Sequence, residues 1–135
     1  MFDSSDLITA YAREPVNQGV MEEPTVRYEQ RNTICGDSII VYLRIAENWI
    51  ISSYSHAGSP AIHTLAAASL LAETIEGSWV EEVLTRGYPY MQEQWFIVSP
   101  RRKRSAVSAL LAARNAIHKR KKDSIIDEYD DLLGW

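Results

Sequence analysis

The residues best suited to chemistry stand in one short run, Asn32-Thr33-Ile34-Cys35-Gly36-Asp37. Cys35 is the single cysteine of the chain. A thiolate there would be both a nucleophile and a soft metal ligand, and Gly36 permits a backbone conformation that leaves neighbouring amides free to stabilise it. Asp37, two residues on, can supply an oxygen ligand. Nucleophilic catalysis by Cys35 would need a histidine base; of His56, His63 and His118, none is paired with it by spacing. His63 falls on the first turn of an expected helix, where the dipole favours the neutral, ligating imidazole. The other reading of these residues is structural, with a buried apolar cysteine and hydrogen-bonded histidines. A phosphate-binding glycine loop, a nucleophile elbow and a paired-histidine metalloprotease helix are all missing. One cysteine also excludes an internal disulfide framework, and any zinc or iron–sulfur site built from several cysteines of one chain.

These residues must be held by a domain of modest size. The chain has 135 residues, of which 46% are hydrophobic and 24% charged, enough for one domain with a core and too few for two ordinary ones. No apolar run approaches the roughly 18 residues that span a bilayer. The first six residues lack the basic and apolar regions of a secretory leader, which, with the lone cysteine, predicts a cytoplasmic protein without a membrane partner.

A first helix is expected with Asp3 or Ser4 as cap and Leu7, Ile8 and Tyr11 as its apolar stripe, ending before Pro15. Residues 15–24 read as a connector, and Thr25–Tyr28 as a short strand. Alternation over Ser38–Ile45 predicts a strand. A turn at Ala46-Glu47-Asn48 leads to another strand over Trp49–Ser55. Ser59 as cap and Pro60 at the first helical position predict a helix over Ala61–Glu76, stopped by Gly77. Ser78-Trp79-Val80-Glu81 reads as a capping box for a helix ending near Gly87, and residues 88–100 read as irregular. A last long helix begins near Ser105, with Val107, Leu110, Leu111 and Ile117 as its stripe. The sum is an α+β sandwich: a small antiparallel sheet of about three strands packed on one side by helices. Residues 1–122 make the domain, and 123–135 an acidic tail that either docks or frays.

Charge is segregated. Residues 1–100 carry 13 acids and 5 bases, residues 101–122 carry 9 bases and no acid, and residues 123–135 carry 5 acids and no base. A basic block of this kind can meet nucleic acid, an acidic membrane surface or an acidic protein patch, or can simply be a solvated helix face. No aromatic residue interleaves it and the net charge is −4, so nucleic acid is not the expected partner.

Several pieces in order resemble the IscU/NifU/SufU-type scaffold proteins of iron–sulfur cluster assembly, from about residue 7 to residue 118. Tyr11 followed by Glu14-Pro15-Val16-Asn17-Gln18-Gly19 is similar to the family's N-terminal motif, and Asn32, Cys35, Gly36 and Asp37 to its Asn-x-x-Cys-Gly-Asp signature. Pro60-Ala61, Ala66–Ser69, Glu73–Gly77 and Val80-Glu81-Glu82 resemble its Gly-Cys and the small-residue helix that follows. Pro100-Arg101-Arg102-Lys103-Arg104-Ser105 resembles its late Pro-x-Arg-x-Lys-Cys. The resemblance implies an IscU/SufE-like sandwich and a scaffold, not an enzyme. It implies cluster or metal binding through Cys35 and Asp37, with His63 as a further metal ligand, for an iron–sulfur cluster or zinc. The implied partners are a cysteine desulfurase or another iron–sulfur assembly protein, or a second copy in a homodimer. Ala61 and Ser105 stand where the family has its other two cysteines, and neither can replace a thiolate on a thiophilic metal. The alternative is therefore a non-catalytic interaction or regulatory module that has lost the metal site and binds a desulfurase or a larger assembly.

Overall fold

Strand-forming residues are concentrated between residues 26 and 59, and there the backbone pairs with itself. The computed structural model describes residues 4–34 and 36–134. Three strands, β1 (Val26–Asn32), β2 (Asp37–Ile45) and β3 (Ile51–Ser59), form one antiparallel sheet in the order β1-β2-β3. The register sets Asn32 opposite Asp37, Tyr28 opposite Val41 and Val41 opposite His56. Because side chains alternate across a strand, Asn32, Asp37, Ile39, Val41, Leu43, Tyr54 and His56 share one face, and all of them are buried.

Helices cover that face. The chain begins with α1 (Ser4–Arg13) and continues after the sheet with α2 (Ile62–Ile75), α3 (Val80–Val83), α4 (Tyr88–Glu93), a single 3-10 turn at Pro100–Arg102, α5 (Lys103–Lys121) and α6 (Tyr129–Leu133). Helix α5 packs on β1 and β2, while α2 packs between α1, α5 and β3. The small side chains Ala66, Ala67, Ala68 and Ser69 let α2 sit in the middle of the core, where each is at most 1% exposed. The α+β class, with helices on one side of a three-stranded antiparallel sheet, is as the alternation and the Ala-rich run predict.

Four local expectations are corrected. The third strand lies at Ile51–Ser59, not Trp49–Ser55, because Trp49 takes a left-handed turn conformation (φ 65°) and pairing with β2 runs on through Gly58 and Ser59. At Gly58 a Cβ would stand 3.0 Å from the Ser38 carbonyl, and φ is +114°, so only glycine lets the strand continue. Ser59, spent in the ladder, does not cap α2; the N-cap residue is Ala61. Ser78 does not open α3 either, since its hydroxyl donates to the Thr74 carbonyl (3.1 Å) and finishes α2. Instead the Trp79 N–H donates to Glu82 (3.4 Å), which shifts the helix start by one residue, and the helix stops at Val83. Finally, residues 88–100 are not wholly irregular: α4 starts at Tyr88 with Pro89 in its first turn, a favoured place for proline.

The acidic C-terminal segment lies on α5. Leu132 and Leu133 are buried in the core, and the Tyr129 hydroxyl lies 2.9 Å from that of Ser108. Asp3 and Trp135 fall outside the described residues.

Candidate functional site

The β1–β2 connection is a tight turn closed by the Gly36 N–H donating to the Asn32 carbonyl at 2.7 Å. Cys35 sits in this turn by sequence and lies outside the described residues. Its neighbour Ile34 is 72% exposed, so the turn is at the surface. Directly behind it, the cross-strand pair Asn32 and Asp37 points into the protein, 2% and 8% exposed.

Asp37 is where the sheet meets the helices. One carboxylate oxygen, Oδ2, accepts the Ala61 N–H at 3.1 Å and the Thr64 hydroxyl at 2.6 Å. The first N–H groups of a helix have no intrahelical partner, and a carboxylate there is favoured by the dipole. Asp37 thus caps α2 from outside, doing the work expected of Ser59. The other oxygen, Oδ1, is buried and has no partner among the described residues, and the same holds for both side-chain atoms of Asn32. Three unpaired buried polar atoms on one cross-strand pair are unusual, because such groups are nearly always bonded.

Two further residues of interest, His63 and Ser105, stand at the starts of α2 and α5. Ala61 and Thr64 bracket His63 on the first turn of α2. The His63 ring is pushed toward its neutral form, first by partial burial and then by the positive charge of Arg102. Ser105, on the first turns of α5, is 1% exposed. Ile62 on α2 is 64% exposed, so apolar side chains stand at the surface on both the turn and the helix.

The fit of this donor set to a metal or cluster can be judged from the side chains. Asp37 offers one oxygen without a partner among the described residues, His63 is held toward its neutral form, and Ala61 and Ser105 carry no thiol. Among the described residues, no group of three or more histidine, cysteine, aspartate and glutamate side chains could hold a metal ion. The residues described here do not complete a cluster site by themselves. Thr64 is not singled out by the sequence; its one signal there is a hydroxyl residue in the first turn of an expected helix.

Comparison with known proteins agrees with this architecture. The model of the NifU-like N-terminal domain family matches residues 3–125. The chain is 33% identical over 81 residues to the iron–sulfur cluster assembly scaffold protein IscU of Thermotoga maritima, a match covering 60% of this chain and 56% of that protein. Its fold is similar to that of the NifU-like protein (N-terminal) from Brucella abortus, with a TM-score of 0.71 and 17% identity over 87% of this chain and 94% of that one. It is likewise similar to a putative iron–sulfur cluster assembly scaffold for the SUF system from Fervidobacterium islandicum, with a TM-score of 0.73 and 17% identity over 83% and 94%. A family model spanning nearly the whole chain and a three-stranded sheet backed by α2 and α5 lead to one conclusion: the chain belongs to the NifU-like N-terminal domain family, the family of the iron–sulfur cluster assembly scaffolds.

Proposed function

We propose that this protein serves iron–sulfur cluster assembly as a scaffold-like factor that contributes Cys35 and Asp37 to a site completed by a partner chain. The observation that carries this reading is the state of Asp37. One of its oxygens is fixed by Ala61 and Thr64 and the other has no partner among the described residues, so the chain brings one oriented oxygen next to the turn that holds its only thiol. A single thiol and a single carboxylate oxygen are half of a four-donor site. The missing donors come from a cysteine desulfurase, from another assembly protein or from a second copy, and His63 is the further ligand this chain can add. Where the cargo is sulfur alone, the Cys35 thiolate attacks the outer sulfur of a partner's persulfide. The partner's S–S bond breaks, its cysteine leaves as a thiolate, and Cys35 carries the new persulfide. Such work belongs in the reducing cytoplasm; among the described residues, no helix is long and apolar enough to cross a membrane.

The test is metal and acid-labile sulfide content of protein purified without oxygen, wild type against Cys35→Ala, with the oligomeric state measured on the same samples. Iron and sulfide, or a persulfide detected by mass, that disappear in the variant are the expected result. Wild type free of metal, sulfide and persulfide, alone and with a desulfurase, overturns it. One observation favours a second reading, that of an interaction module without cargo: Asp37 already has a structural task as the cap of α2. Under that reading the desulfurase binds the Cys35→Ala variant as tightly as wild type.

A further inference from the structure

Residues 123–134 are a strap across α5, and its central fastener is a histidine with two anionic neighbours. His118, near the end of α5 and 7% exposed, places Nδ1 2.8 Å from Asp123 Oδ2 and Nε2 3.0 Å from Asp127 Oδ2. An ionised carboxylate only accepts hydrogen bonds, whereas a neutral imidazole has a single N–H. With both ring nitrogens on carboxylates, the two contacts can both be hydrogen bonds only when the ring carries both protons. A neutral ring would aim a lone pair at one of the carboxylates.

We propose that the C-terminal strap is a proton-held clasp: His118 fastens it as an imidazolium and loosens it on losing a proton. The two partners are not equivalent. Asp127 keeps a second cation, since the same Oδ2 accepts Arg114 Nε at 3.0 Å, and its backbone is gripped by Asn115 from both sides, N–H to Oδ1 at 2.7 Å and Nδ2 to carbonyl at 3.1 Å. Asp123 has the Ile125 N–H on its other oxygen at 3.0 Å. Its carboxyl is held below the usual range chiefly by the His118 bond, with Lys121 a minor contributor. Tyr28 from β1, with Lys119 and Lys122 from the end of α5, lines the groove beside the ring. None of these can replace the lost proton between His118 and Asp123. The loosening therefore starts at residues 122–126, where Lys122 and Ser124 already sit in left-handed conformations that side chains adopt at some cost. It spreads toward Tyr129, Leu132 and Leu133, which cover the buried face of α5. Deprotonation thereby gives the protein a reversible way to uncover apolar surface on the helix that also carries Ser105.

Hydrogen exchange read by mass spectrometry on the full chain from pH 5.5 to 8.5, corrected for the intrinsic rate, tests the clasp. In wild type, opening of residues 123–133 is expected to rise about tenfold across that range, the loss of one charge-assisted bond, while β2 and α2 do not open with it. In Asp123→Asn, the new amide donates to the neutral ring nitrogen, so the strap should show little pH dependence. In His118→Gln it should be as open at pH 5.5 as wild type is at pH 8.5. Wild-type strap exchange that is flat with pH, or an Asp123→Asn protein that keeps the wild-type dependence, overturns the proposal.

Discussion

Two buried polar regions of this molecule have been treated in opposite ways. Under the strap, Arg114 bridges Asp127 and the Arg86 carbonyl, Asn115 makes a reciprocal pair with the Asp127 backbone, and His118 joins two aspartates. At the β1–β2 turn, Asn32 and one oxygen of Asp37 are just as buried and have no partner among the described residues. A completed network fixes one conformation, whereas an unpaired buried group is a standing cost. The difference separates a region selected to hold the fold from a region that tolerates instability for some other gain, as binding sites do.

The largest effect follows from breaking the completed network. Arg114 and Asp127 are only 12% and 11% exposed, so Arg114→Ala strands a buried carboxylate. That should cost about 3 kcal/mol, read as a lower urea midpoint with an unchanged slope. His118 remains as one partner and keeps the loss at the low end.

Next comes Gly87→Ala, which attacks the strap from the other side. A Cβ at Gly87 would stand 2.6 Å from the Leu132 carbonyl oxygen, so the backbone must shift before any methyl fits. Overpacking of this kind costs about 2 kcal/mol. The loss should show as exchange of residues 129–133 ahead of the rest of the protein.

At the site the sign should reverse. Asn32→Leu removes two unpaired buried polar atoms and supplies apolar contact, so stability is expected to hold or to rise by about 1 kcal/mol. In the same protein, retention of metal, sulfide or persulfide should fall. A variant clearly less stable than wild type would mean that Asn32 is structural, and would erase the contrast with the strap.

These expectations rest on features of unequal visibility in the sequence. The alternation over Ser38–Ile45 and the alanines of α2 announce β2 and the central helix, because burial on one face or all round leaves a periodic trace. The cysteine turn is legible as Cys35-Gly36-Asp37. That Asp37 caps α2 is not, since the cap comes from a strand 24 residues earlier, and only folding brings Ala61 and Thr64 to it. Docking of the tail is one of two readings the sequence leaves open, but its fasteners are hidden for the same reason: Arg114, Asn115 and His118 look like a solvated helix face until Asp123 and Asp127 are laid beside them. Residues 88–100 read as irregular, yet Pro89 opens a helix there, and the strand expected to end at Ser55 runs on because Gly58 admits a close strand.

The smallest expected effect uses a third histidine to separate the clasp from general instability. His56 is fully buried on β3, its Nε2 2.8 Å from the Val16 carbonyl, which can only accept, so Nε2 carries the proton. Its Nδ1 has no partner among the described residues. Burial holds this ring below the ordinary histidine range, outweighing the Val16 bond. A ring that protonates less readily folded than unfolded leaves the unfolded chain with more protons, so stability is full above about pH 6.5 and is lost as pH falls below it. Urea midpoints should therefore drift down between pH 6.5 and 5, and the drift should shrink in a folded His56→Gln variant, whose amide can keep the Val16 bond. The clasp has the opposite sign, loosening as pH rises and only in residues 123–133. If global stability and strap protection moved together with pH, one titration would be acting on both, and the strap could not be an independent element.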